Sequence, residues 1–139
     1  MSVDYFLDTN ILLYRYSKQD EQKRPVAANL LESGRAMVSA QVLNEFCNVT
    51  RRKFPETYAN IDATIAEILG LLPVASLDEM DTKNALGISR RYGFSFYDSL
   101  IVAVAERQGC KIVLSEDMQH SMVLDSGMRI LNPFVLSTE

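Results

Sequence analysis

Short β-prone runs alternate along the chain with stretches whose apolar residues recur three and four positions apart, the pattern of strands alternating with amphipathic helices. Val3–Leu7 is a β-prone run that stops at Asp8. Pro25–Ser33 predicts a helix with Val26, Ala27, Leu30 and Leu31 on one face and Gly34 as its stop. Ala36–Ser39 is a second short strand. Ser39 then caps a helix running to about Lys53, with Val42, Phe46 and Val49 along one stripe. Tyr58–Leu72 repeats the helical spacing through Ile61, Ile65, Ile68 and Leu72, and Pro73 ends it. Val74–Ser76 predicts another strand. Asp78 caps the next helix, which ends at Gly93 after Arg90 and Arg91, cations suited to a helix C-terminus. Tyr97–Gln108 is helical and very apolar, with Gly109 as its terminator. Lys111–Ser115 is a strand whose Ile112, Val113 and Leu114 suit burial on both faces. Met128–Leu131 predicts a last strand before Pro133. The alternation predicts parallel pairing: an α/β three-layer sandwich whose central, mostly parallel sheet of four to five short strands is flanked by helices.

The 139 residues contain no internal repeat, low-complexity tract or Pro/Gly/Ser linker, so residues 1–139 are expected to form one domain. Hydrophobic residues at 47% and charged residues at 23% are ordinary for a globular chain and exclude disordered, collagen-like and coiled-coil classes. A net charge of −4 excludes a general nucleic-acid coat, which needs a strongly basic face. Binding through a local basic patch, or through a metal that offsets acids, stays open. Cys47 and Cys110 make no disulfide scaffold, and with the sole histidine, His120, they cannot complete a four-ligand structural zinc site. The start has no basic region leading into an apolar core, which points to a cytoplasmic chain. The longest apolar stretch, Leu100–Ala105, is far short of the ~20 residues that span a bilayer, so no membrane association is expected.

Asp20, Glu21, Glu32, Glu56, Asp62, Glu67, Asp81 and Glu106 fit solvated faces. Four other acids do not. Asp8 directly follows the first strand, and Asp117 follows Lys111–Ser115. Ligands of open parallel sheets sit outside the carboxyl ends of strands, so these two would face one crevice if their strands are neighbours. Glu45 lies among Leu43, Phe46 and Cys47, and Asp98 among Phe94, Phe96, Tyr97, Leu100 and Ile101. Each has a bland role available singly: a first-turn acid for Asp98, an exposed helix acid for Glu45, a turn acid for Asp117. No Lys or Arg adjoins any of the four in sequence. Converging carboxylates need protons or a cation, and hard oxygen ligands suit Mg²⁺ or Mn²⁺ rather than zinc.

Phe6-Leu7-Asp8-Thr9-Asn10, Asn44-Glu45-Phe46, Tyr97-Asp98-Ser99-Leu100-Ile101, Leu114-Ser115-Glu116-Asp117 and Asn132-Pro133-Phe134 together resemble the PIN-domain ribonucleases. Among these, the toxins of VapBC-type toxin–antitoxin pairs are the most similar, and the resemblance covers essentially the whole chain. It implies a Mg²⁺- or Mn²⁺-dependent endoribonuclease that hydrolyses RNA phosphodiester bonds. Asp8, Glu45, Asp98 and Asp117 match the family's acidic, metal-binding and catalytic positions. Ser115, Thr9 and Asn10 match supporting positions. The resemblance also implies a homodimer, a cognate antitoxin partner and structured RNA such as transfer RNA as substrate. One departure is His120, which stands where many members carry a further Asp; Glu116 ranks below Asp117 as an acid of the site.

Arg15, Arg51, Arg52 and Lys53 are the candidate contacts for the RNA backbone, with Lys23–Arg24 and Arg90–Arg91 as further basic pairs. Two other functions compete. A non-catalytic PIN-like interaction module would be expected to have lost acids, whereas all four are present. A phospho-accepting receiver-like domain needs its acids at strand ends and a late Lys, whereas Glu45 and Asp98 lie in helical stretches.

Overall fold

The computed structural model describes residues 3–136. In chain order its elements are β1 (Tyr5–Leu7), α1 (Thr9–Tyr16), α2 (Lys23–Glu32), β2 (Ala36–Ser39), α3 (Ala40–Lys53), α4 (Pro55–Tyr58) and α5 (Ile61–Leu71). There follow β3 (Val74–Ala75), α6 (Glu79–Tyr92), α7 (Phe96–Arg107), β4 (Ile112–Leu114), β5 (Met122–Val123), β6 (Arg129–Leu131) and α8 (Pro133–Leu136). The strands form one sheet in the order β3-β2-β1-β4-β6-β5. Every pairing is parallel except that of β5 with β6. The α/β sandwich with a mostly parallel sheet is therefore the observed architecture. The sheet is larger than expected by β5, a two-residue antiparallel edge too short to show a period in the sequence.

Strand β1 is central. Tyr5, Phe6 and Leu7 stand in register with Ile112, Val113 and Leu114 of β4, and Tyr5 and Phe6 also pair with Ala36 and Met37 of β2. The chain first steps outward from β1 through β2 to β3, then crosses back to place β4 on the other side of β1. Parallel crossovers keep one hand, so this reversal sends α1–α5 to one face and α6–α7 to the other. The reversal also leaves a crevice at the carboxyl ends of β1 and β4, the topological switch point.

The core draws on the predicted strands and helices and also on α1. Phe6, Leu7, Ile11, Leu12, Val38, Val42, Phe46, Ile101, Val102, Val113 and Ile130 are buried in one cluster across the sheet. Ser39 caps α3 through its hydroxyl, which accepts from the Val42 amide, and Gly93 ends α6 in the left-handed region at φ 78°. In α7 every residue from Ser99 to Ala105 is buried, so this helix is hydrophobic all round. Among the described residues no helix is long and apolar enough to cross a membrane.

Three expectations need correction. The helix expected over Tyr58–Leu72 is two: α4 starts at Pro55, and Asn60 leaves the helical region at ψ 28° before α5 resumes. Residues 9–16, for which no element is expected from the sequence, form α1, because Asp8 both ends β1 and caps the helix. Asp81 is not a solvated acid. It is fully buried and takes Arg107 Nε and Nη2 at 2.8 and 2.9 Å, while its Oδ2 accepts from the Asp78 amide in a capping box. The Arg107 guanidinium holds its carboxyl below the usual range.

Candidate active site

Asp8 anchors the crevice. Its amide donates to Leu114 O at 3.0 Å, extending the β1–β4 ladder by one step. Its Oδ1 accepts from the Thr9 amide at 2.7 Å, and its Oδ2 accepts from the Ser115 hydroxyl at 2.7 Å. Ser115 is itself buried, and its Oγ accepts from the amides of Asp117 and Met118 at 3.2 and 3.3 Å. The hydroxyl thus shapes the turn after β4 and fixes the Asp8 rotamer together. Asp117 projects from that turn, and its Oδ2 accepts from Asn10 Nδ2 at 2.6 Å.

Asp98 reaches the crevice from the first turn of α7, where its amide donates to Ser95 Oγ at 3.2 Å. Glu45 comes from α3, half-buried, and its Oε1 accepts from Gln41 Nε2 at 2.7 Å. The same Nε2 donates to Tyr97 O at 3.1 Å, so Gln41 ties the Glu45 helix to the Asp98 helix. Gln41 is a site residue that sequence reasoning missed; its position four residues before Glu45 on one helix was the available signal.

Asp8, Glu45, Asp98 and Asp117 line one cleft of about 270 Å³ together with Thr9, Asn10 and Lys53. Burial pushes Asp8 from its ordinary 3.8 up to about 6; the bonds from Ser115 and Thr9 oppose this, and the charges of Asp98 and Asp117 add to it. Burial also raises Glu45 and Asp98, each helped by a neighbouring acid of the cleft. Lys53 is the one cation among the lining residues. The cleft therefore concentrates negative charge with little internal compensation.

The donor set is carboxylate oxygen throughout, the chemistry of Mg²⁺ and Mn²⁺ sites. Among the described residues no three acid, imidazole or thiol groups lie together closely enough to hold a metal ion directly. The acids line an open cleft, which fits an ion that keeps several waters and takes only one or two carboxylates directly.

Other expected residues fall elsewhere. Arg15 lies 4.0 Å from Glu67 and over the Tyr16 ring at 4.7 Å. Arg51 and Arg52 are exposed at the end of α3. Lys23 is bonded to Glu116, which also accepts from the Tyr14 hydroxyl at 2.5 Å. That ion pair holds Glu116 apart from the acids of the cleft and leaves Lys23 committed. His120 Nδ1 accepts from the Asn132 amide at 2.9 Å, a bond that braces the turn beyond β4.

Acids from β1, α3, α7 and the turn after β4, meeting at the switch point of a mostly parallel sheet, define an α/β protein with an acidic crevice. The PIN-domain family model matches residues 5–123, and the chain belongs to that family. Comparison with curated protein sequences gives no significant match. The fold is similar to that of Mycobacterium tuberculosis VapC20, described as a sarcin–ricin loop cleaving toxin, at 21% identity and TM-score 0.68 over 82% of this chain and 90% of that one. It is similar to a chain of a toxin–antitoxin complex from Klebsiella pneumoniae at 15% identity and TM-score 0.72, covering 94% of this chain and 98% of that one. A DNA-bound VapBC from Salmonella typhimurium matches at 20% identity and TM-score 0.65, again over 94% and 98%.

Proposed function

We propose that the chain is a divalent-metal-dependent endoribonuclease, the toxin of a toxin–antitoxin pair, formed by one domain over residues 1–139. The observation that carries this reading is the convergence of four carboxylates from four separated segments on one cleft. Family membership and the likeness to structures described as toxins and toxin–antitoxin complexes support it.

Asp8, Glu45, Asp98 and Asp117 would hold Mg²⁺ or Mn²⁺. Such an ion supplies charge for the scissile phosphate and lowers the pKa of an attacking water. The chain's own residues orient these groups. Ser115 and the Thr9 amide fix both Asp8 oxygens, Asn10 aims Asp117, and Gln41 holds Glu45 against α7. Lys53 takes a substrate phosphate at the rim, with Arg51 and Arg52 beyond it on α3. The partners of this reading are RNA, a cognate antitoxin and a second copy of the chain. The exposed Tyr58 and Leu69 of α4 and α5 supply apolar surface for a protein partner.

Total cellular RNA incubated with the purified chain and Mg²⁺ tests the reading. Discrete cuts are expected, and none with Asp8→Asn. Mn²⁺ at a hundredfold excess over its dissociation constant stabilises by ~2.7 kcal/mol, roughly 3 °C of melting temperature per kcal/mol at this size. Neither cleavage nor a metal-dependent shift would leave a non-catalytic interaction module.

A further inference from the structure

Glu45 lines a second space besides the acid cleft. On its other side opens a groove of about 820 Å³, formed by α3, α7 and the segment after β3. Its lining includes Gln41, Asn44, Asn48, Ser76 and Tyr97, and Glu45 is its only charged member. The volume is within the range of sites that take small organic ligands. Asn44 and Asn48 are both exposed and one helical turn apart on α3, so their amides share a face. Tyr97 leaves 63% of its surface open, unusual for a ring of this size, and it directly precedes Asp98.

We propose that this groove is a nucleobase subsite, which holds the base of a nucleotide next to the cut phosphodiester by stacking on Tyr97 and bonding to the Asn44 and Asn48 amides. The inference rests on the reading that the chain cuts RNA. Three features favour a base over other occupants. The groove and the acid cleft share Glu45 as a wall, so a nucleotide next to the scissile bond is within its reach. Its lining holds no cation to offset a phosphate, and its one charge, the Glu45 carboxylate, repels one, whereas a base is neutral. A side-chain amide carries both a donor and an acceptor, the pairing that base edges require, and an open aromatic ring stacks any base.

The cleft also borders a different surface at Lys53. There Lys18, Lys53, Tyr16 and Phe54 line another groove. Cations on one side and amides with a ring on the other give a strand its polarity across the acids: backbone toward Lys53, base toward Tyr97. Gln41 ties Glu45 to the Tyr97 end, because one Nε2 donates to both the Glu45 carboxylate and the Tyr97 carbonyl.

The test uses an RNA oligonucleotide spanning a cut mapped with the wild-type chain, and binding to the full chain in an Asp8→Asn background. Adding Tyr97→Ala should weaken binding about 5- to 150-fold, the loss of one base–aromatic stack. Tyr97→Phe, which keeps the ring, should recover most of it. A series of oligonucleotides, each with one abasic position within two nucleotides of the cut, locates the base. One of them should bind as weakly as the intact RNA binds Tyr97→Ala, and Tyr97→Ala should cost nothing further on it. In the active background Asn48→Ala should change base preference at that nucleotide alone. Losses that add at every abasic position, or a Tyr97→Ala chain that binds RNA as before, overturn the subsite, and an effect of Tyr97→Ala confined to a protein partner would do the same. A wild-type chain that cuts no RNA with Mg²⁺ or Mn²⁺ overturns the underlying reading instead.

Discussion

The Ser115 hydroxyl donates a 2.7 Å hydrogen bond to Asp8 Oδ2, joining residues 107 apart in sequence at the seam between β1 and β4. This bond lowers a carboxyl that burial pushes up. Ser115→Ala should therefore raise the Asp8 pKa further and reduce Mn²⁺ affinity about 10-fold, as loss of a partner that orients a metal ligand does. Ser115→Thr, which keeps the hydroxyl, should restore it. Calorimetric titration with Mn²⁺ decides; unchanged affinity in Ser115→Ala would remove Asp8 from the ligand set.

Asp8 also ties metal-free stability to pH. Its carboxyl lies near 6 in the fold against 3.8 ordinarily. The folded state holds that proton more tightly, so the stabilisation is fully present below about pH 4 and is lost as pH rises through 6. Between those limits the group should cost the metal-free protein roughly 2–3 kcal/mol. Asp8→Asn should lack that dependence and be the more stable protein at pH 7. Urea unfolding in chelator at pH 4, 5, 6 and 7 measures the difference; parallel curves for the two proteins would contradict it.

The Asp81–Arg107 pair is structural. Arg107→Ala leaves Asp81 charged and fully buried without its partner. The expected loss is about 3 kcal/mol, toward the lower end for broken buried pairs because Arg107 is partly solvated. Asp81 is held below its usual pKa, so the wild type should lose this contribution as pH falls through the lowered value, opposite in sign to Asp8. Denaturant melts of both proteins at pH 7 and pH 3 should show the gap closing in acid.

Lys53 is the one cation that lines the acid cleft. Lys53→Ala should weaken RNA binding and reduce the slope of log K against log salt by ~0.7, one phosphate of a single strand. Arg51→Ala with Arg52→Ala should flatten the slope as well while leaving the choice of cut site in place, since phosphate contacts carry no base information. Filter binding across a salt series separates them. A slope identical to wild type in Lys53→Ala would place the backbone elsewhere.

The sheet and the four acids were legible because each left a local mark. Ile112–Leu114 is apolar throughout, as a strand covered on both faces must be; Asp8 directly ends the first apolar run, and Asp117 lies three residues past the end of the other. What stayed hidden depended on residues far apart. Asp81 looks like any helix acid until Arg107, 26 residues later, turns out to face it. Glu116 and Asp117 are adjacent and alike in sequence, and only Lys23 and Asn10 separate their roles. Helix α1 escaped because a single residue, Asp8, serves as both strand end and cap, leaving no loop to announce it. The groove beside Tyr97 left no motif at all, since its lining is drawn from three segments.

The seam between the first and fourth strands also sets a clock. The hydroxyl that fixes Asp8 is encoded 107 residues after it. At 5–20 residues per second, a ribosome needs about 5–20 s to travel between them. A truncated translation product that stops before Ser115 carries Asp8, Glu45 and Asp98 yet lacks both the hydroxyl that fixes Asp8 and the Asp117 carboxylate that completes the cleft. If the chain cuts RNA as proposed, that activity is withheld from any chain in which Ser115 and Asp117 have not yet been made.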